Sequence, residues 1–334
     1  MKQTGLCSRW NDFFYKPQST VPISLFRIGY GACVLMTLIL LHRDWLQWFG
    51  ANGWVTFDTV QMLEPGPRLD LFTLLPADNT WISGFFWFSF GCATLLMLGL
   101  WTRCTSALTF LCLASLQQRN LLILHGGDTF LRVTGFFLIF APAGSRFSLD
   151  ALIRSRGRSK ESKSESKAPW AQRLIQGELS LLYVVSFLWK LKGHAWLNGS
   201  ALYYVFHVQD LGRFPIPNWM MLPVPLRTAT WLTMLLELAL GTAIWWKPAR
   251  YPLLLLGLGF HLALEYSLNI PMFQWDVLIA YVLFISASDL KRWTKGTAQL
   301  LPWKPPILFK TDANTAHANL EPDPRLTTHF SDRH

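Results

Sequence analysis

Residues 174–210 read LIQGELSLLYVVSFLWKLKGHAWLNGSALYYVFHVQD. The first half is an apolar run of the length a membrane-crossing helix needs, about 20 residues. At its end stand Lys190 and Lys192, followed by a polar turn with His194, Trp196, Asn198 and Gly199. A lysine in that position has two readings. It is an anchor whose stem lies in lipid while its amine reaches the headgroups, or it is a base held under cover. Trp189, Trp196, Tyr203 and Tyr204 are the side chains able to close a lid over the amine.

The composition around this stretch is that of a membrane protein. Of 334 residues, 51% are apolar, only 15% are charged and 17 are Trp; mean hydropathy is +0.25. Soluble domains carry about a quarter charged residues. Residues 1–20 are polar, and the first apolar run, 23–41, is too long for the core of a cleavable signal, so it is expected to be the first membrane helix. The formal charge of +10 sits in a few loops and tails and not along a folded face. Membrane orientation accounts for that distribution, and no nucleic-acid partner is read from it. Cys7, Cys33, Cys92, Cys104 and Cys112 form no C-x-x-C and read as small packing residues.

Apolar runs place helices near 23–41, 81–101, 104–124, 127–144, 174–191, 228–246, 251–268 and 272–289. The fold class is therefore all-α: a polytopic integral membrane helical bundle of about eight transmembrane helices. Connections bearing Lys2, Arg9 and Lys16, then Arg103, then 146–173, then Lys247 and Arg250, then Lys291, Arg292 and Lys295 alternate with basic-poor ones. The positive-inside rule puts both termini in the cytoplasm and the Lys190 end of its helix outside. Residues 1–22 are the cytoplasmic N-terminus, 23–290 the membrane domain and 291–334 a disordered cytoplasmic tail. Within the membrane domain, 150–168 (DALIRSRGRSKESKSESKA) lacks apolar periodicity and reads as a flexible basic loop. The outer connections 44–56 (DWLQWFGANGWVT) and 214–226 are rich in Trp and Pro and read as interfacial aromatic segments forming a cap.

An ionisable group at helix depth costs about 3 kcal/mol on insertion scales, so each demands a reason. Arg119, Asp128, Arg132, Lys190, Glu265 and Asp276 fall in the outer half of the membrane, with His261 and Glu237 near its middle, which suggests a polar chamber opening outward. Asp128 and Arg132, one turn apart, form either a self-neutralising pair or part of that chamber. His261 and Glu265 have the same spacing, and a carboxylate that fixes an imidazole tautomer suits a proton relay. No third ligand lies at helical spacing, so no metal site is read. The candidate catalytic residues are Lys190, His261, Glu265 and Asp128. Nucleotide-binding and hydrolase motifs are absent from the sequence.

LFRIGYG at 25–31, the NGWV ending at 55, RNLLILHGGDTFLRV at 119–133, FAPAGSRFSLD at 140–150, YVVSFLWKLKGHAWLNGSALYY at 183–204 and LGFHLALEYSLNI at 258–270 occur in an order and spacing that carry a resemblance. The chain resembles the HTTM (horizontally transferred transmembrane domain) proteins and the membrane domain of the vitamin K-dependent gamma-carboxylase. The resemblance implies that Lys190 is the base that deprotonates a reduced vitamin K-type quinone, leading to carboxylation or epoxidation, with Trp189, Trp196 and Tyr203 around that cofactor. It also implies a bacterial cytoplasmic (inner) membrane as the location, and the bilayer, the quinone and a secreted peptide substrate as partners. The family's assisting histidine would fall near Gly127, and the nearest candidate, His125, is out of register. No counterpart of the carboxylase's propeptide-gripping domain is expected after Ser288. The alternative is therefore a non-enzymatic membrane accessory protein for a secreted peptide, as in the SdpB-like branch.

Overall fold

Short polar and proline-bearing interruptions divide the apolar runs into helices whose ends follow local capping chemistry. The computed structural model describes residues 5–63, 66, 68–156 and 166–292. In chain order the α-helices are α1 (Leu6–Tyr15), α2 (Val21–His42), α3 (Trp45–Phe49), α4 (Phe57–Leu63), α5 (Asn79–Leu98), α6 (Thr102–Arg119) and α7 (Gly126–Phe140). There follow α8 (Leu149–Arg156), α9 (Trp170–Leu191), α10 (His194–Leu197), α11 (Ala201–His207), α12 (Pro223–Thr242), α13 (Lys247–Ser267) and α14 (Phe273–Ala280), which continues as a 3-10 turn over Tyr281–Phe284. Asp78 opens α5 by accepting the Thr80 N–H at 2.7 Å. Gly99 ends it with φ +72°, a conformation only glycine adopts without strain, and returns its N–H to Leu95 and Leu96. His125 and Asp128 form a capping box at the start of α7.

The sequential helices α2, α5, α6, α7, α9, α12 and α13 pack largely on their chain neighbours; α14 lies against α2, α7, α9 and α13 and closes the bundle. Its Val277 and Ala280 are fully buried. In lipid there is little hydrophobic gain from joining helices, so close fit and internal hydrogen bonds must hold the bundle. Gly135 shows the fit: a Cβ there would overlap the Tyr30 hydroxyl, which donates to Leu131 O at 3.1 Å.

Each of the eight apolar segments read from the sequence is helical, but only four are long and apolar enough to cross a membrane by length and composition. These are α2, α5, α9, and α12 with its extension to Trp245. The other four differ for physical reasons. At 15 residues α7 is about 22 Å long, short of a hydrocarbon core of about 30 Å. Thr, Ser, Gln and Arg side chains take up much of the buried face of α6. Lys247, Arg250, His261 and Glu265 lower the hydropathy of α13, and α14 gives way to a 3-10 turn after Ala280.

The 150–168 loop is more ordered at its start than its charge suggests, because Leu149–Arg156 is helix α8. Asp150 of this helix caps α6, accepting from Trp101 N at 2.8 Å and from Thr102 N at 2.9 Å. Ser166–Lys167 pairs antiparallel with Gln18–Ser19. Residues 157–165, and the tail beyond Arg292, lie outside the described residues.

Candidate functional site

Tyr183, Ser186 and Lys190 are three and four residues apart, so they form one stripe on α9. That helix runs along α12, and Gly241 keeps the approach close: a Cβ there would lie 2.6 Å from Val184 Cγ2 and 3.0 Å from Ser180 O. At this seam Lys190 Nζ donates to Glu237 Oε1 at 2.8 Å and to Ser186 Oγ at 2.6 Å, while Ser186 Oγ donates to Glu237 Oε1 at 3.2 Å. Trp196 of α10 covers the amine, its ring centroid 4.9 Å from Nζ. The side chains of Lys190 and Glu237 are 17% and 8% exposed, so the lysine turns inward and is not extended as an anchor. Its partner is neither Asp128 nor His261. Glu237 Oε2 is buried and has no hydrogen-bond partner.

His261 sits in a second cluster. Its Nε2 is 2.6 Å from Tyr183 Oη, Tyr183 Oη is 2.6 Å from Tyr281 Oη, and His261 Nδ1 is 2.5 Å from Gln274 Oε1. An amide oxygen only accepts, so with Gln274 Oε1 toward the ring Nδ1 carries the proton. Nε2 then accepts from Tyr183, which in turn accepts from Tyr281. The imidazole tautomer is thus fixed by Gln274, not by Glu265. Helical spacing brings Glu265 to the same side of α13, but its carboxylate reaches outward to Arg213, whose Nη1 also donates to Glu265 O at 3.1 Å. With Tyr266 Oη donating to Pro215 O at 2.9 Å and Asn269 N to Leu211 O at 2.7 Å, this contact straps residues 211–215 across the end of α13.

Asp128 serves the start of α7: its Oδ2 accepts the His125 N–H at 2.9 Å and lies 3.5 Å from His125 Nε2. It turns to His125 and not to Arg132. Of the aromatic residues expected around a cofactor, Trp196 alone meets Lys190. Trp189 is exposed and carries the Lys192 ammonium 4.2 Å from its ring centroid. Tyr203 is also exposed and packs on His207 at 4.2 Å.

The buried charged groups divide into small clusters with local partners, and some of their atoms, Glu237 Oε2 and Asp276 Oδ1 among them, have none. Glu178 accepts from Thr134 Oγ1 at 3.0 Å, and Asp276 meets the Cys33 thiol. Arg119, fully buried, donates Nη1 to Val55 O at 2.8 Å and Nη2 to Phe49 O at 3.4 Å and Gly50 O at 3.3 Å, with Phe57 stacked at 4.1 Å. Asn120 Nδ2 adds a bond to Trp48 O at 3.3 Å, and Trp45 Nε1 one to Ile82 O at 3.0 Å. The 44–56 segment is therefore clamped to α5 and α6, with Trp45 and Phe49 buried and Trp54 exposed. Nearby, burial pushes the Asp70 carboxyl up, against the opposing effects of the Phe72 N–H, Arg119 and Arg68. An apolar cavity of about 540 Å³ opens between α11, α12, α13 and residues 216–220, walled in part by Phe206, Met220, Leu236 and Phe260.

Sequence reasoning missed Ser186, Tyr183, Gln274 and Tyr281 as site residues, and placed Glu237 in the polar chamber without giving it a role. One signal was available: the three-then-four spacing of Tyr183, Ser186 and Lys190. Glu237 was visible as an acid in an apolar helix, but nothing in one sequence says which helix faces it.

No curated protein and no solved structure matches the chain. A family model for the HTTM domain matches residues 15–288, which include every helix of the site. The chain belongs to the HTTM domain family.

Proposed function

We propose that the chain is a membrane-embedded enzyme of the gamma-carboxylase kind, in which Lys190 removes the proton of a lipid quinol of the reduced vitamin K type. In this reading all eight apolar segments cross a bacterial cytoplasmic membrane, both termini are cytoplasmic, and the Lys190 seam lies in the outer half of the bilayer. The observation that carries it is the inward turn of Lys190 to Glu237 and Ser186 under Trp196. An anchor lysine has no use for a buried carboxylate on a neighbouring helix, whereas a base needs an environment that controls its proton.

The residues present suit such a quinol. Trp196 offers an aromatic face at the amine, the partial exposure of Lys190 leaves an approach, and the apolar cavity beside Leu236 has room for hydrocarbon. A bound quinol would supply the acidic hydroxyl. Lys190 accepts the proton at Nζ, Ser186 and Glu237 hold the amine in place, and Trp196 shields it from water.

The test is consumption of a reduced quinone by the purified protein in lipid nanodiscs, compared with Lys190→Ala. A loss on the order of 10²-fold or more is expected, the usual contribution of a general base. Equal turnover in the variant would sink the assignment.

A second reading has its own observation. Trp54 and Trp219 stand exposed on the two outer segments, as on a surface that binds a secreted peptide without chemistry. Photocrosslinking from Trp54 or Trp219 positions separates the two: peptide adducts favour the accessory role, and lipid or quinone adducts alone favour the enzyme.

A further inference from the structure

We propose that Glu237 takes the proton that Lys190 must shed to act as a base, so that the resting pair at the α9–α12 seam is a neutral amine beside a neutral carboxylic acid. This rests on the reading of Lys190 as the base and names the group that completes it.

Two features of the seam carry the inference. Glu237 is almost wholly removed from water and Lys190 is only partly exposed, so two ions there lose solvation that their attraction repays only with excellent hydrogen bonding on both sides. The hydrogen bonding of Glu237 is not of that quality. Oε1 accepts from both Lys190 and Ser186, while Oε2, buried, accepts from nothing. An ionised carboxylate spreads its charge over both oxygens, which would leave half of it on an atom with no donor. In the acid form Oε1–H points to the Nζ lone pair across the same 2.8 Å, and Oε2 is an uncharged carbonyl oxygen.

The proton balance follows. In the first step an Nζ–H bond breaks and an Oε1–H bond forms, and the positive and negative charges cancel. In the second the substrate O–H bond breaks and its proton goes to the Nζ lone pair, giving an ammonium and a substrate anion. Because Glu237 is already neutral, the new ammonium pairs with the substrate anion instead of with its own neighbour. A carboxylate at Glu237 would compete for the same cation and weaken that stabilisation. Glu237 acts through Lys190 and is a positioning residue in this scheme.

The experiment is infrared difference spectroscopy of the full-length protein in nanodiscs, wild type minus Glu237→Gln, in water and in deuterium oxide. Glu178 and Asp276 contribute to both samples and cancel. The expected result is a protonated-carboxylic-acid carbonyl band in the wild type that shifts on deuteration and is lost in the variant. A difference spectrum that is empty in that region, with the carboxylate bands changing instead, overturns the proposal.

A second measurement needs no variant: labelling of Lys190 by a membrane-soluble isothiocyanate, followed by mass spectrometry. Neutral amine is expected to label in neutral buffer; no labelling of Lys190 there, while a denatured sample labels in alkaline buffer, overturns it. In quinol turnover, Glu237→Gln is expected to lower kcat by about 10²-fold with KM within about a factor of two, and Glu237→Asp to restore part of the loss. A wild-type kcat in Glu237→Gln overturns the proposal. If the acid band is present but neither wild type nor Lys190→Ala consumes quinol, the shared proton stands and the quinol reading falls; Lys190-dependent turnover without the band has the opposite meaning.

Discussion

Replacing Arg119 by Met keeps an unbranched apolar stem, shortens the side chain and removes its charge and all its donors. The wild-type guanidinium makes one full hydrogen bond, to Val55 O at 2.8 Å, and a weaker forked one to Phe49 O and Gly50 O at 3.4 and 3.3 Å, over the Phe57 ring at 4.1 Å. A hydrogen bond to a charged group contributes about 1.5–3 kcal/mol, and a buried carbonyl left without a donor costs about 1–3 kcal/mol. Counting the fork as half a bond and about 0.5–1 kcal/mol for the ring, the gross loss is roughly 3–5 kcal/mol. Relief from burying the guanidinium opposes this, so the net loss should be about 2–4 kcal/mol. Arg119→Lys retains a charge but not the fork and should lose about half as much. Equilibrium unfolding in detergent, followed by Trp emission, measures both variants, and limited proteolysis of 50–56 reports whether the segment lifts. If Arg119→Met lies within about 0.5 kcal/mol of wild type, the clamp is not holding the segment and the reasoning fails.

Four further outcomes follow from the packing. Gly241→Ala should cost about 1–3 kcal/mol, because the new methyl meets Ser180 O and Val184 and has to push α9 off α12; unfolding in detergent checks it. Tyr183→Phe removes the donor to His261 Nε2 and should cost about 1–3 kcal/mol in the same assay. Arg213→Ala leaves Glu265 without its cation and frees the 211–215 strap; with both partners partly exposed the loss should be only about 1 kcal/mol, but chymotryptic cleavage within 208–222 should rise clearly. For Asp150, burial pushes the carboxyl up, yet the Thr102 and Trp101 donors outweigh it and hold the group below the usual carboxylate range. Its contribution is present above the unfolded value of about 3.9 and is lost as pH falls through the lower folded value, so a wild-type advantage of about 1 kcal/mol over Asp150→Asn at neutral pH should shrink toward zero on acidification below about pH 4.

The helices were legible because lipid demands long apolar runs, and α9 ends at Leu191, where the apolar run gives way to Lys192 and Gly193. Partners across helices were not. The four-residue spacing of His261 and Glu265 suggested a local pair, but the glutamate lies closer to the end of α13 and reaches the strap, while Gln274 arrives from another helix to fix the imidazole. The role of Arg119 was hidden for a different reason: its partners are backbone carbonyls of 49–55, and a carbonyl leaves no mark in a sequence. The Trp-rich 44–56 read as a surface piece from composition alone, though burial of Trp45 and Phe49 makes it part of the packed protein. In 150–156 the charges suggested a loop, whereas Asp150 is fixed by the free N–H groups at the start of α6, sites that pattern reading does not connect over about fifty residues.

The stripe of α9 that bears Tyr183, Ser186 and Lys190 ties two clusters to one rigid rod. Each residue of a helix turns the next by about 100°, so a single insertion between Tyr183 and Ser186 would swing Ser186 and Lys190 off the α12 seam while the Tyr183–His261–Gln274 chain stayed in place. An insertion N-terminal to Tyr183 would instead turn every member together. The register of this helix is therefore a shared setting: neither the lysine seam nor the histidine chain can be re-aimed by rotating α9 without re-aiming the other, and only side-chain substitution can tune them apart.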